Sequence, residues 1–175
     1  MSAAPLEVEV EAVREVNAAM YAAVEAADLD AMAALWIDGP LGESAVCVHP
    51  GWAPIRGRSR VLRAWALIMA NTSYIQFFLT DVDITVSGDV GTVTCVENIL
   101  TGVGVDAAGG DGLPGGQVVA TNILRRTPDG WQVWVHHASP VMTLPVAEDD
   151  ESVGRSAADP SEDRHDEAEP DEDDR

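Results

Sequence analysis

The chain reads as an α+β domain in which helices cover one face of a curved, antiparallel or mixed β-sheet, and three features predict it. Up to residue 70, apolar residues recur every three or four positions, the period of helices. From Tyr74 onward the period drops to two, the period of strands. Between Leu79 and Val82, near Asp81, the apolar phase slips, as a β-bulge in a long bent strand requires. Helices followed by a meander leave the helices on one side of the sheet, and the bulge curls it. The expected shape is a cone whose three N-terminal-side helices pack over the concave face and enclose a pocket.

Each element has its own signal. Pro5 suits the first turn of a helix, and Val10, Val13, Asn17, Met20 and Val24 form that helix's stripe, with Tyr21 at its edge. Asp28 is placed to cap a second helix running through Trp36, whose apolar side is Leu29, Met32, Leu35 and Trp36. Asp38-Gly-Pro-Leu-Gly42 ends it. A short strand over 44–49 leads into the rigid turn Pro50-Gly51-Trp52-Ala53-Pro54. A third helix spans 58–70, with Val61, Leu62, Trp65, Leu67 and Ile68 apolar. A long strand from Tyr74 to Val86, the turn Ser87-Gly88-Asp89 and a strand over 92–101 follow. Residues 102–116 form a long glycine-rich connection, then come a strand over 117–126, the turn Thr127-Pro-Asp-Gly130 and a last strand over 131–139.

The length of 175 residues suits one domain, placed at 1–146, followed by an acidic tail at 147–175. The chain carries 30 acids and 10 bases, all arginine, for a net charge of −20. The tail holds fourteen of those acids and three arginines, a net of −11. It has no Phe, Trp or Tyr with which to offset the entropy of ordering. It is therefore expected to be disordered, as a solubilising segment or a docking point for a basic partner. Nothing offers the cationic stripe that nucleic acid needs. The N-terminus has neither the basic region nor the apolar run of a signal peptide, and no stretch approaches about 18 apolar residues. With Cys47 and Cys95 read as buried free thiols, a soluble cytoplasmic protein is expected.

Polar residues that break the apolar pattern are the candidate site. In the strand over 92–101, Val93, Cys95, Glu97 and Ile99 share a phase, which puts Glu97 among apolar neighbours. Burial there would raise its pKa toward the range a general acid or base needs. In the last strand Val133, Val135 and His137 share a face while Trp134 and His136 take the other. His137 is thus expected in the pocket, with Trp134 and His136 on the convex side as an interface pair. His49 ends the first short strand and is a further pocket candidate. Asn122 lies on a strand apolar in both phases, which implies a cavity inside and a partner subunit outside. Metal binding is argued against, because no His-x-His, Cys-x-x-Cys or Glu-x-x-His spacing occurs and the adjacent His136 and His137 diverge. No cofactor-binding motif is present either: Gly-x-Gly fragments lack the context of a phosphate loop.

Several segments together resemble the SnoaL-like, nuclear transport factor 2-like superfamily, near its ketosteroid isomerase-related members and the association domain of calmodulin-dependent kinase II. They are Asp28-Leu-Asp30, His49-Pro-Gly-Trp52, Gly57 and Gly88-Asp89, with the block from Ala120-Thr-Asn122 through Asp129-Gly-Trp131 to His136-His-Ala-Ser-Pro140. The resemblance covers 6–141. It implies a conical α+β barrel, usually dimeric, with Glu97, Asn122 and His137 lining a deep pocket and Met20, Trp52 and Trp65 at its walls or mouth. Tyr21 with Glu97 and Asp38 matches an isomerase kit only loosely. The association domain's pocket arginines are matched here by Glu97 and Asn122, which disfavours an acidic ligand. Two readings follow. In one, a dimer binds a small, mostly apolar organic molecule, with isomerase- or cyclase-type acid–base chemistry by Glu97 and by His137 or Asn122 as donor. In the other, the domain is a non-catalytic dimerisation module.

Overall fold

In the computed structural model, which describes residues 5–102 and 116–141, the helices come first. α1 (Leu6–Glu25) buries Val13, Asn17, Met20, Tyr21 and Val24, the stripe that its three- and four-residue spacing dictates. It ends where Ala27 turns to φ +51°, and Asp28 at once starts α2 (Leu29–Leu35), its carboxylate accepting the Ala31 N–H at 2.9 Å. This cap satisfies a donor that has no partner inside the helix. Trp36 then leaves the helix to bridge Val133, so the second helix is pinned to the sheet immediately. A 3₁₀ turn (Gly39–Ser44) follows. α3 (Arg58–Asn71) turns Val61, Ala64, Trp65 and Met69 inward.

The strands are β1 (Val46–Val48), β2 (Ile55–Arg56), β3 (Ile75–Ser87), β4 (Val90–Thr101), β5 (Gly116–Thr127) and β6 (Gly130–Pro140). Their order is β2-β1-β6-β5-β4-β3. β3 to β6 form an antiparallel meander, while β1 runs parallel to β6 and antiparallel to β2. The α+β architecture and mixed sheet are those the sequence predicts, but the sheet is open, with β2 and β3 as edges, where the resemblance implied a barrel. The first strand is shorter than the expected 44–49, and the two-residue β2 has no counterpart in the sequence pattern. α1 lies on β3, β4 and β6. Its approach is so close that a methyl group on Gly91 would stand 2.7 Å from a Val13 methyl.

Two bulges shape the sheet. The one in β3 breaks the register between Thr80 and Asp83, with Asp81 at φ +52°, where the phase slip predicted it. The other lies in β6: Ile123 pairs with Val135 but Leu124 pairs with Val133, which leaves Trp134 as the extra residue. A bulge of this kind inverts every side chain beyond it. Trp131 and Val133 face inward before it, His136 and Ala138 after it. The expected placement of the two histidines is therefore corrected. His136 is buried on the concave side and His137 is exposed. Trp134 stays on the outer face, half-buried, its indole N–H donating to Ser44 at 2.8 Å.

The main core fills the space between helices and sheet around Met20, Met32, Trp36, Ile37 and Val133. No described helix is long and apolar enough to cross a membrane. The 103–115 connection, the tail at 147–175 and any contact it makes lie outside the described residues.

Candidate functional site

A cavity of about 200 Å³ opens between α1, α3 and the concave face. Each element contributes by its local geometry. Alternation in β4 turns Glu97 inward beside Cys95, and the helical stripe of α1 brings Tyr21 over it. His49 and Trp52 come from the turn after β1, Trp65 and Ile68 from α3, and His136 from beyond the β6 bulge. Val24, Ile75, Phe77 and Ile99 complete a mostly apolar wall.

Of the residues expected there, Tyr21, His49, Trp52, Trp65 and Glu97 line the cavity. Met20 and Asn122 are wholly buried but stand behind the wall. Asp38 is exposed and takes no part. His137 faces solvent, so its role as catalytic partner is withdrawn. His136 occupies the position expected of it. Sequence reasoning also passed over Cys47, as a merely buried thiol, and Asn17, whose polar side chain in the apolar stripe of α1 was the available signal.

A hydrogen-bonded chain runs across the site. Tyr21 donates its hydroxyl proton to Glu97 Oε1 at 2.7 Å. Its oxygen accepts from Asn122 Nδ2 at 3.1 Å, and the same amide donates to Asn17 Oδ1 at 2.8 Å. The Asn122 oxygen lies 2.7 Å from His136 Nδ1. An amide oxygen can only accept, so Nδ1 carries the proton and His136 Nε2 keeps its lone pair. Donation thus runs one way, from the His136 imidazole through Asn122 and Tyr21 to the Glu97 carboxylate, which lies 39 residues earlier in the chain.

Burial acts on the two ends in opposite senses. It pushes the Glu97 carboxyl up from 4.5 to about 7, partly offset by the Tyr21 hydrogen bond. It pulls His49 down to about 4, and His136 to about 3 with help from the neighbouring His49 and His137. The Tyr21 hydroxyl is held well above its ordinary value by burial and by the Glu97 charge. Both imidazoles are therefore neutral near pH 7, while the carboxyl is poised between its two states.

A second cluster adjoins the wall, with His49 and His136 lining the cavity. His49 stands edge-on to Trp65, centroids 4.6 Å apart, and to Trp52 at 5.2 Å. Its Nε2 lies 3.4 Å from Cys47 Sγ. A sulfur and one nitrogen from each of His49 and His136 all fall within 4.8 Å of one another. Local spacing could not reveal this, because β1 and β6 meet only in the folded sheet.

The model of the SnoaL-like domain matches residues 13–143. Among solved structures, a candidate dehydratase of the NTF2-like family from Streptomyces avermitilis is 48% identical, over 79% of this chain and 100% of that one, with a TM-score of 0.71. A candidate calcium/calmodulin-dependent protein kinase type II association domain from Thiobacillus denitrificans is 30% identical, over 74% and 94%, with a TM-score of 0.61. An NTF2-like superfamily protein from Salmonella enterica shares the fold at 16% identity, over 82% and 99%, with a TM-score of 0.68. No curated protein sequence matches the chain.

Proposed function

The chain belongs to the SnoaL-like domain family, and on that premise we propose that its cavity binds a small, mostly apolar, uncharged organic molecule and performs acid–base chemistry on it. The observation that carries the reading is Glu97. Among the described residues that line the cavity it is the one carboxylate, it is 3% exposed, and Tyr21 fixes its orientation. A carboxyl that titrates near neutrality is well matched to proton transfer. Glu97 takes a proton from a carbon next to a carbonyl and returns it elsewhere on the same molecule, which gives an isomerisation or a ring closure. Returned to a departing hydroxyl, the same proton completes loss of water, the reaction class named for the Streptomyces relative. An acidic ligand would meet the Glu97 charge, so neutral or weakly cationic molecules are favoured. The free thiols suit a cytoplasmic setting.

The test is a thermal-shift screen of polyketide-like and steroid-like carbonyl compounds on wild type and Glu97→Gln, followed by deuterium exchange into whichever compound binds. Stabilisation of both forms, with exchange in wild type alone, supports the reading. If no compound stabilises either form, binding fails; equal exchange in both refutes the chemistry.

One observation favours a second, non-exclusive reading, association between copies. Phe78, Leu100 and Val119 are exposed on the convex face of β3, β4 and β5, and the Thiobacillus relative is described as an association domain. The homodimer is proposed through this face, with Trp134 at its margin and without His136. Sedimentation of Leu100→Asp against wild type decides it: a monomeric variant of a dimeric protein supports the interface, and an unchanged assembly state removes it.

A further inference from the structure

The cluster on the cavity wall carries an inference that goes beyond the acid–base reading and does not depend on it. Cys47 on β1 lies in register beside His136 on β6. His49, two residues beyond Cys47, falls on the same buried side. The three residues are 0%, 5% and 2% exposed. From this arrangement we propose that Cys47, His49 and His136 form a three-ligand site for zinc(II), with its fourth position open toward the cavity.

Four observations support it. In a tetrahedral site with Zn–S near 2.3 Å and Zn–N near 2.0–2.1 Å, the edge between sulfur and nitrogen is about 3.5 Å. The Cys47 to His49 separation of 3.4 Å already has that length. The widest separation, within 4.8 Å, needs His136 to close by up to about 1.4 Å. Second, His136 Nδ1 is held by the Asn122 oxygen at 2.7 Å, which aims the free Nε2 lone pair. Metal-bound histidines are oriented in this way, by an acceptor on the nitrogen that does not bind. Third, one thiolate and two imidazoles form a borderline-soft set that suits zinc or cobalt and disfavours magnesium or calcium. Fourth, the net positive charge left by zinc and one thiolate would be offset by Glu97, which lines the same cavity. Binding converts the Cys47 thiol to thiolate and releases its proton to solvent.

Cobalt(II) provides the test, since a bound thiolate gives it a charge-transfer band that carboxylates of the acidic tail cannot produce. The full-length chain, stripped with a chelator, is titrated with cobalt and then with zinc. The proposal expects a band that saturates at one cobalt per chain, with tetrahedral ligand-field bands, both abolished when zinc displaces cobalt. Cys47→Ser should remove the band and weaken zinc binding at least about 100-fold, while His137→Gln changes neither. Zinc, but not magnesium, should raise the melting temperature of wild type, a readout that stands even if Cys47→Ser fails to fold. A folded wild type that shows no thiolate band overturns the proposal. So does zinc binding of equal affinity in a folded Cys47→Ser variant.

Discussion

The two walls of the cavity differ in chemistry and in how they are built. On one, Glu97 comes from β4, a strand whose alternation is unbroken, and burial raises its pKa toward neutrality. On the other, His49 and His136 come from a turn and from a bulged strand, and burial lowers their pKa values far below neutrality. The same desolvation drives an acid and a base in opposite directions but toward the same outcome, an uncharged side chain. The difference is that only the acid lands where protons are exchanged near pH 7. One wall is thus suited to moving protons, the other to offering lone pairs.

The largest effect that can break this contrast is kinetic. On a substrate found by the screen, Glu97→Gln should lower the rate of proton transfer by about 10²–10⁴-fold, as read by deuterium exchange. A smaller loss from Glu97→Gln than from His49→Gln would reverse the assignment of the walls.

The next effect is on stability. In the unfolded chain Glu97 ionises above pH 4.5, in the folded protein only above about 7. The folded state therefore holds the extra proton between those values, and its relative stability is full below pH 4.5 and falls as pH rises through 7. Glu97→Gln should unfold about 3 kcal/mol less readily than wild type at pH 8 and nearly equally at pH 4.5, measured by urea denaturation. The imidazoles carry the opposite sign. Their contribution is present above pH 6.5 and is lost as pH falls through about 4 for His49 and about 3 for His136. Removing the opposing carboxyl should therefore make the acid limb steeper in Glu97→Gln than in wild type.

How legible the walls were follows from the same strands. The Glu97 side could be read because Val93, Cys95 and Glu97 keep one phase and the α1 stripe is regular. Even the β3 bulge announced itself, since apolar residues on both sides of Asp81 record the change of phase. In β6 the bulge falls at Trp134, where Trp134 and Val135 are both half-buried and both apolar, so the pattern carries no record of the slip. The Cys47–His136 neighbourship depends on a parallel pairing between strands 89 positions apart, which no local spacing encodes. Tyr21, Trp65 and Glu97, on regular periodic elements, were legible as pocket residues; His136, placed by a bulge, and Cys47, placed beside it by a distant pairing, were not.

Two smaller effects sharpen the contrast. Tyr21→Phe removes the donor to Glu97 and the acceptor for Asn122, so it should cost about 1–3 kcal/mol and move the Glu97 pKa higher still, by urea denaturation and titration. His137→Gln, on the solvent side, should change stability by no more than about 0.5 kcal/mol and leave exchange rates unaltered; a loss comparable to Tyr21→Phe would place His137 inside the site after all.

The most direct measurement is the titration of the Glu97 carboxyl by carbon-13 NMR on the chelator-stripped chain, its signal identified by its disappearance in Glu97→Gln. The predicted midpoint is about 7, rising in Tyr21→Phe. A midpoint at the ordinary value of 4.5 would mean that the carboxylate is bathed in water and that the cavity is not the proton-transfer site proposed for it.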